Sequence, residues 1–410
     1  MKSFFTSSFF ATNRQKLRHK LGSDVLIIVT ANGLLQRGGD SNYTFSQDAN
    51  FWYLTGIDEP DIILIMDTEN EYLIVPSRSA VRTVFDGTVT SNTLIQRSGV
   101  KQTLDDKTGW EQLYNRIKKV KKIATVAAAP SYIEQHGLFV NPSRSRLAEK
   151  IRNANPEVEF QDIARDLAQF RMVKQAPEIQ AIQTAVDITV SSISATLMPE
   201  LLARYKYEYE IEAELSREFR RRGASGHGFD PIVASGPRAC VLHNTANNSK
   251  LTKNELITLD VGAEVEHYSA DITRTISRGQ PSKRQMAVHK AVAEVQQFSF
   301  NLLKPGAKLR DNEHQIEHFL GEKLRELGLI KQINQSEVRK YYPHSTSHFL
   351  GLNVHDAGDY ELPLEAGVVL TVEPGIYISE EGIGVRIEDD VILTPDGIKI
   401  LSDKLPRLIN

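Results

Sequence analysis

Short apolar runs alternate with helical patterns in the first part of the chain. Apolar runs bounded by turn residues predict strands, at Val25–Thr30, Ile62–Met66, Glu71–Val75 and Lys122–Ala127. Helices are predicted at Trp110–Val120 and Ser143–Asn153. The stretch Asn50–Gly56 is rich in aromatic residues, which is typical of core packing. This alternation of helix and strand predicts an α/β domain.

A domain boundary is expected near residues 160–175, and a long helix follows it. Pro177 lies in the first turn of this helix, where its missing N–H is not needed. Apolar residues then recur at helical spacing on one face: Ile179, Ile182, Val186, Val190, Ile193 and Leu197. A helix follows at Tyr207–Arg222, and then strands at Ile232–Ala234, Leu256–Gly262 and Asp271–Ile276. We therefore expect two domains, residues 1–163 and residues 164–410.

The order of helices and strands then repeats. Ser282 and Gln285 form a predicted capping box for a helix that continues to about Leu303. The second repeat is completed by a further helix at Asp311–Leu327 and by strands at Val368–Val372 and Val385–Leu393. The pattern indicates an internal duplication with a period of about 110 residues.

Candidate functional residues keep a similar offset. It is 112 residues from His243 to His355, 113 from Asp260 to Glu373 and 117 from Asp271 to Glu388. Each half therefore offers a histidine, then a carboxylate on one strand, then a carboxylate on the next strand. Two pseudo-symmetric halves that face each other would bring four carboxylates to a common centre.

Composition and charge exclude several classes of protein. The chain has 410 residues, of which 40% are hydrophobic and 25% charged, as in globular proteins. A net charge of −3 gives no reason to expect nucleic acid or an anionic membrane as partner. The single cysteine, Cys240, excludes an internal disulfide and a cysteine-based zinc site. It fits a reducing compartment, so we expect a cytoplasmic protein without a spanning helix.

The N-terminal segment permits two interpretations. It contains lysine and arginine but no acid before Asp24, which is the composition of a mitochondrial transit peptide. Alternatively it forms a first helix, with its phenylalanines packed on the domain and its basic residues outside. We favour the helix, because the segment runs directly into the predicted strand at Val25–Thr30. The phenylalanines are Phe4, Phe5, Phe9 and Phe10.

Carboxylates on predicted strands are the first candidates for chemistry. Asp260 and Asp271 lie on neighbouring strands across a hairpin, where they would repel each other unless a cation lay between them. Glu373 and Glu388 also lie in apolar, β-prone stretches, where a free carboxylate is costly. Each pair alone is also compatible with structural ion pairing. Arg386, two residues before Glu388 on the same strand face, is one such partner.

A cluster of histidines makes a metal site the better interpretation. His344, His348 and His355 lie within twelve residues, in a segment edged by proline and glycine. The i, i+4 spacing of His344 and His348 is that of a helical zinc pair, but Ser345 stands where that motif requires glutamate. One histidine with four carboxylates is a hard, oxygen-rich ligand set. It suits two divalent ions, with manganese expected before iron, cobalt or magnesium.

At these clusters the chain resembles the creatinase, aminopeptidase P and methionine aminopeptidase superfamily, whose catalytic domain has the pita-bread fold. Five residues match its metal ligands in order and context: Asp260, Asp271, His348, Glu373 and Glu388. The stretch Asp48–Gly56 is similar to the aromatic signature of bacterial aminopeptidase P, so the resemblance covers nearly the whole chain. It implies an α/β class with a creatinase-like accessory domain, which forms oligomers and a wall of the substrate pocket.

The resemblance also implies roles for other residues. His243, His344 and His355 would line the pocket and bind the peptide or stabilise the tetrahedral intermediate. Arg386 would support the metal ligands, Tyr377 would lie near the site, and Asp40 would reach it from the accessory domain of the same or a neighbouring subunit. Two departures, Ser345 for a common glycine and Asn353 for a common aspartate, leave the ligands unchanged but put fine substrate preference in doubt.

The implied activity is that of a proline-specific metalloaminopeptidase. It would hydrolyse the peptide bond before a penultimate proline, with Glu373 moving a proton from the attacking water to the leaving proline nitrogen. The expected partners are peptides with proline at the second position, and the expected assembly is a homodimer or homotetramer. Two alternatives stay open, a Xaa-Pro dipeptidase (prolidase) and a non-catalytic peptide-binding protein of the same fold.

Overall fold

The computed structural model describes residues 3–22, 24–68, 70–127, 133 and 137–407. It divides into two compact units, one from Phe5 to Ala168 and one from Gln169 onwards, and residues 3 and 4 group with the second. The division falls inside the helix Ala164–Met172, which begins at the predicted domain boundary. Among the described helices none is long and apolar enough to span a bilayer.

The N-terminal unit is built around a six-stranded mixed sheet. The strands of this unit, of which six form the sheet, are β1 Leu26–Thr30, β2 Gln36–Gly38, β3 Ser41–Asn42, β4 Ile63–Met66, β5 Glu71–Val75, β6 Gln102–Asp105, β7 Lys122–Thr125 and β8 Glu159–Asp162. The described helices are α1 Ser7–Leu21, α2 Ala49–Thr55, α3 Ala80–Asp86, α4 Ser91–Ser98, α5 Asp106–Ile117, α6 Ser143–Ala154 and α7 Ala164–Met172. The sheet order is β6-β5-β4-β1-β7-β8, and β2 and β3 form a separate hairpin.

The N-terminal segment forms helix α1 with phenylalanines packed on the domain, as the second interpretation expects, with one correction. Phe5, Phe9 and Phe10 are buried as predicted. Arg14, however, is fully buried, although the basic residues were predicted to lie outside. Its guanidinium donates to the carbonyl oxygens of Leu54 and Ser98, which end helices α2 and α4. A cation stabilises such helix C-termini, and an ion pair with Glu71 at 2.8 Å also compensates for the burial of the arginine.

The C-terminal unit consists of helices and short antiparallel strands. The helices are α8 Ala176–Thr196, α9 Pro199–Leu202, α10 Glu208–Arg221, α11 Lys283–Leu302, α12 Leu309–Glu326 and α13 Gln335–Tyr341. The strands are β9 Gly226–His227, β10 Ile232–Ser235, β11 Leu256–Val261, β12 Ala263–Val265, β13 Tyr268–Ser269, β14 Ile272–Ser277, β15 Val369–Val372, β16 Gly375–Ile378, β17 Ile383–Arg386, β18 Asp389–Thr394 and β19 Gly397–Ile400. Short 3-10 helices lie at Gly236–Cys240 and Ser379–Glu381.

Two three-stranded antiparallel sheets carry the candidate residues. The first has the order β10-β11-β14, and the second has the order β15-β18-β19. Long helices precede each sheet along the chain, as the predicted duplication requires. The apolar face of α11 packs Val288, Val292 and Val295 with Ile376 and Val385 in one core cluster. The capping box of Ser282 and Gln285 at its start is present as predicted.

One predicted strand is divided in two. Val385–Leu393 was expected to be continuous, but β17 ends at Arg386 and β18 begins at Asp389. The reason is that β17 pairs with β16 whereas β18 pairs with β15. At the break, the backbone N–H of Glu388 donates to the carbonyl oxygen of Thr273 at 3.0 Å. The break therefore joins the second half of the unit to strand β14 of the first half.

Candidate metal centre and active site

The four strand carboxylates lie where paired strands end. Asp260, near the end of β11, is opposite Thr273 of β14, and Asp271 immediately precedes β14. In the second half Glu373 follows β15 and Glu388 precedes β18. These two strands pair Val372 with Asp389, so Glu373 and Glu388 lie at the same end of the ladder.

His348 lies between the carboxylates of the two halves. Its Nε2 atom is 3.5 Å from Asp271 Oδ2 and 3.2 Å from Glu373 Oε1. Its Nδ1 atom donates to the carbonyl oxygen of Phe349 at 3.0 Å, which fixes the ring orientation. A carbonyl partner at Nδ1 leaves Nε2 as the metal-binding atom, and this is the usual arrangement of a ligating histidine.

Several carboxylate oxygens in this cluster have no hydrogen-bond partner. Buried oxygens of Asp260, Asp271 and Glu388 have none among the described residues. Ligand atoms of Asp271, His348 and Glu388 all lie within 4.8 Å of one another. Unpaired buried carboxylate oxygens are costly unless a cation satisfies them. The donor set is therefore a fit to divalent metal ions.

Electrostatic repulsion in the cluster has the same implication. Burial, and then the nearby charge of Asp260, raise the pKa of Asp271 to about 8. Burial, and then Asp271, raise the pKa of Glu388 well above its usual value. Burial also opposes ionisation of Glu373, but the hydrogen bond from His348 and the charges of His348, His344 and Arg386 together outweigh burial and lower its pKa to about 2. Without a cation these acids therefore cannot all ionise at neutral pH.

Arg386 links the carboxylate of Asp260 to His344 through the Tyr377 hydroxyl. Its Nη2 atom donates to Asp260 Oδ2 at 2.5 Å, and its Nη1 atom donates to the Tyr377 hydroxyl at 2.9 Å. The Tyr377 hydroxyl lies 2.8 Å from His344 Nε2. Because Nδ1 of His344 contacts the carbonyl oxygen of Ser345 at 2.9 Å, that nitrogen carries the proton and Nε2 accepts from Tyr377. Burial lowers the pKa of His344, which keeps the ring neutral.

A cavity of about 870 Å³ opens onto the cluster. Its lining includes all five predicted ligands together with His243, His344, His355 and Arg386. The ring of His355 lies 4.2 Å from that of His348, between centroids. Desolvation, and then the charge of His348, lower the pKa of His355 to about 4. His243 and His355 are exposed residues, so both are accessible to a ligand that enters the cavity.

Two predicted site residues do not line the cavity. Tyr377 is buried behind His344 and contacts it through the hydroxyl group. Asp40 lies in the exposed turn between β2 and β3 of the N-terminal unit. Its approach to the site stays a prediction.

Several residues that support the ligands were missed in the sequence. The Thr273 hydroxyl donates to Glu388 Oε2 at 2.6 Å, and the Thr371 hydroxyl donates to Glu373 Oε1 at 3.2 Å. Fully buried Asp390 accepts the backbone N–H of Asp271 at 3.0 Å. Strand alternation was an available signal for Asp390, because it lies two residues after Glu388.

Comparison with known proteins agrees with this geometry. Residues 180–395 match the family model described as metallopeptidase family M24, and residues 10–125 match that of the aminopeptidase P N-terminal domain. The chain belongs to the M24 metallopeptidases, as an aminopeptidase P of the pita-bread superfamily. It is therefore a peptide hydrolase, and the predicted α/β class with an accessory domain and a pita-bread domain is confirmed.

The relatives cover almost the entire chain. Xaa-Pro aminopeptidase 3 of Mus musculus is 32% identical over 95% of this chain and 80% of its own length. Xaa-Pro aminopeptidase of Haemophilus influenzae is 32% identical over 91% of this chain and 89% of its own length. The structure of Escherichia coli aminopeptidase P with the inhibitor Pro-Leu superposes with a TM-score of 0.86 at 27% identity, covering 98% of this chain and 96% of that chain.

Proposed function

We propose that this protein is a Xaa-Pro aminopeptidase that removes the N-terminal residue of peptides with proline at the second position. The observation that carries the proposal is the cluster of one histidine and four carboxylates, with unpaired buried oxygens, at the base of the cavity. The names of the relatives, Xaa-Pro aminopeptidases, agree with this substrate class.

Five residues would hold two divalent metal ions: Asp260, Asp271, His348, Glu373 and Glu388. When bound, the ions lower the pKa of water and polarise the scissile carbonyl group. The oxygen-rich ligand set favours manganese. Hydrogen bonds from Thr273 and Thr371 orient Glu388 and Glu373, so these side chains are held in place before a metal ion binds.

Glu373 is the proposed acid–base residue. It faces both the ligand cluster, through His348, and the pocket, where its Oε2 atom is 3.8 Å from His344 Nδ1. In this position it takes a proton from the attacking water and delivers it to the proline nitrogen as the peptide bond breaks. The bonding electron pair stays on that nitrogen when the C–N bond breaks, so the proline leaves as a neutral secondary amine only if it receives this proton.

The pocket residues bind and orient the peptide. His243 and His355 lie on the exposed side of the cavity, and we assign them contacts to the peptide and to the oxyanion of the tetrahedral intermediate. His344 is the third pocket contact, held by Tyr377 and Arg386. Arg386 acts through its hydrogen bond to Asp260.

We further propose a homo-oligomer, a dimer or a tetramer, in the cytoplasm. Helix α3 of the N-terminal unit buries none of its own side chains. Val84 and Phe85 on it are 83% and 81% exposed. An exposed apolar face of this kind is typical of an interface. In such an assembly Asp40 would approach a catalytic site, of its own or of a neighbouring subunit.

Three peptides test the proposed activity. The purified protein, with Mn²⁺ added, is offered Arg-Pro-Pro, Arg-Ala-Ala and Gly-Pro, and the released amino acids are quantified. We expect free arginine from Arg-Pro-Pro and little from Arg-Ala-Ala. Asp260→Ala removes one ligand, and we expect it to abolish turnover.

The other outcomes separate the alternatives. Cleavage of Gly-Pro alone would make the protein a dipeptidase. Cleavage of none of the three, by a protein that binds metal ions and Pro-Leu, would indicate a non-catalytic peptide-binding protein.

A further inference from the structure

The loop between helix α13 and strand β15 carries His344 and His348, and it separates two cavities. On one side lies the active-site cavity. On the other lies a second cavity of about 230 Å³, lined in part by Ser345, Thr346 and Ser347. Because Ser345 and Ser347 line both cavities, the loop is a single layer of chain with open space behind it. Ser345 and Ser347 are therefore not packed on both sides, although Thr346 between them is buried.

Hydrogen bonds also hold the loop. The hydroxyl groups of Thr346 and Tyr342 lie 2.5 Å apart. Arg339 Nη1 donates to the carbonyl oxygen of His344 at 2.7 Å. Glu313 Oε2 accepts the backbone N–H of Thr346 at 3.0 Å. The carbonyl oxygen of Thr346 accepts the backbone N–H of Glu373 at 2.8 Å. The backbone on both sides of Ser345 is thus tied to two side chains that border the second cavity.

These two side chains belong to a charged cluster between helices α12 and α13. Glu313 and Glu317 are one turn apart on α12, so both reach Arg339 of α13. Arg339 Nη2 is 3.2 Å from Glu313 Oε1, and Arg339 Nε is 2.5 Å from Glu317 Oε1. The hydroxyl of fully buried Tyr342 donates to Glu313 Oε1 at 3.2 Å. These contacts hold the side chains of the charged cluster in place independently of their hydrogen bonds to the loop.

His348 is attached to the protein by a separate route. Its backbone N–H donates to Thr371 Oγ1 at 3.2 Å, and its carbonyl oxygen accepts the N–H of Thr371 at 3.0 Å. Loss of Glu313 would leave these bonds to strand β15 intact. Glu373, whose N–H donates to Thr346, would also keep its hydrogen bond from the Thr371 hydroxyl. The pocket histidine, His344, and the metal-binding histidine, His348, therefore depend on different supports although they share a loop.

We propose that Glu313 and Arg339 are positioning residues that hold His344 in the substrate pocket through the backbone of residues 344–346. The proposal rests on the proposed function, in which His344 contacts the peptide. In this proposal the charged cluster supports peptide binding and turnover, whereas metal binding depends on His348 and the carboxylates.

Glu313→Ala tests the proposal, with Glu381→Ala as a matched control. Glu381 also pairs with an arginine, Arg284, at 2.7 Å and is about one-third exposed, but it does not line either cavity. For Glu313→Ala we expect kcat/KM on Arg-Pro-Pro to fall about 10- to 100-fold, the range for loss of a supporting hydrogen bond. We expect its Mn²⁺ affinity, measured by isothermal titration calorimetry, to stay within about threefold. Glu381→Ala should change neither quantity.

A conservative variant and a double variant test whether Glu313 and Arg339 act through the same loop. Glu313→Gln keeps an acceptor for the Thr346 N–H and should recover part of the lost kcat/KM. Arg339→Met combined with Glu313→Ala should lose little more than the worse single variant, because both act on one loop. Unchanged kcat/KM in Glu313→Ala would overturn the proposal. So would a fall in Mn²⁺ affinity as large as the fall in kcat/KM, since this would indicate general loss of structure.

A binding measurement separates failure of this proposal from failure of the proposed function. If the unaltered protein cleaves none of the peptides, the proposed function has failed. The affinity for Pro-Leu then decides: weaker binding by Glu313→Ala than by Glu381→Ala supports the positioning role, and equal binding overturns it.

Discussion

At the scale of single residues, buried carboxylates dominate the chemistry of the C-terminal unit. The pKa of Asp271 is raised from 3.8 to about 8, first by burial and then by Asp260. Between these two values the folded protein binds a proton at Asp271 that the unfolded chain releases. The contribution of Asp271 to stability in the absence of metal is therefore lost as the pH rises from about 4 to about 8.

Asp271→Asn should remove this pH dependence, because asparagine cannot ionise. In the presence of a chelator, we expect the unaltered protein to lose more thermal stability between pH 5 and pH 8 than the variant does. Added Mn²⁺ should raise the unfolding temperature of the unaltered protein at pH 8 and have little effect on the variant. Calorimetry at both pH values measures this. A variant that loses as much stability as the unaltered protein would contradict the assignment.

The residue types identified the candidate ligands better than the residues that support them. Asp260 and Glu373 can be recognised in the sequence, because burying an acid within an apolar strand costs free energy whatever the strand packs against. Glu313 and Arg339 instead look like ordinary surface charges on two helices, and their role depends on how those helices pack beside the loop. Arg14 was placed outside for the same reason, since its carbonyl partners are distant in sequence.

At the scale of secondary structure, close approach of two segments sets the position of the first carboxylate pair. Gly262 lies between β11, which carries Asp260, and β12. A Cβ atom at Gly262 would lie 1.6 Å from the carbonyl oxygen of Ala270, the residue before Asp271. Only glycine permits this contact without a shift of the backbone that holds both acids.

Gly262→Ala should therefore reduce both stability and metal binding. We expect a loss of about 1–3 kcal/mol in the free energy of unfolding, as for overpacked sites, and a weaker affinity for Mn²⁺. Urea denaturation and calorimetry measure the two effects. The control is Gly38→Ala, because a Cβ atom at Gly38 would meet no atom within 4 Å. Unchanged Mn²⁺ affinity in Gly262→Ala would show that this contact does not position the acids.

The long helices of the C-terminal unit were predicted, whereas several short elements, among them α3, α4, β6 and β16, were not. The capping box at Ser282 and the apolar stripe that begins at Ile179 depend on local sequence, so their helices were predicted correctly. The break between β17 and β18 follows from pairing with two different strands. Nothing in the apolar run of residues 385–393 marks it.

At the scale of the whole molecule, the proposed metal site joins the two halves of the C-terminal unit. Asp260 and Asp271 come from the first half, and His348, Glu373 and Glu388 from the second. Ions bound between them would stabilise the folded state, because a ligand that binds only the folded protein shifts unfolding to higher temperature.

The proposed assembly gives a further prediction. We expect a dimer or a tetramer by size-exclusion chromatography with light scattering, and we expect Val84→Lys combined with Phe85→Lys to shift it towards the monomer. These side chains are exposed within the chain, so the unfolding temperature of the separated subunit should be little affected. Met286→Lys, at an exposed position of the C-terminal unit, is the control. An oligomer that withstands the double substitution would exclude helix α3 as its interface.

We propose above all that the protein hydrolyses the bond before a penultimate proline and that this activity needs metal ions, which Asp260, Asp271, His348, Glu373 and Glu388 would hold. The most direct measurement is arginine release from Arg-Pro-Pro by metal-free protein titrated with Mn²⁺. We predict no release before metal is added, activity that rises until two ions are bound per chain, and none at any Mn²⁺ concentration for Asp260→Ala. Release that is unaffected by chelation, or that is equally fast from Arg-Ala-Ala, would contradict the account.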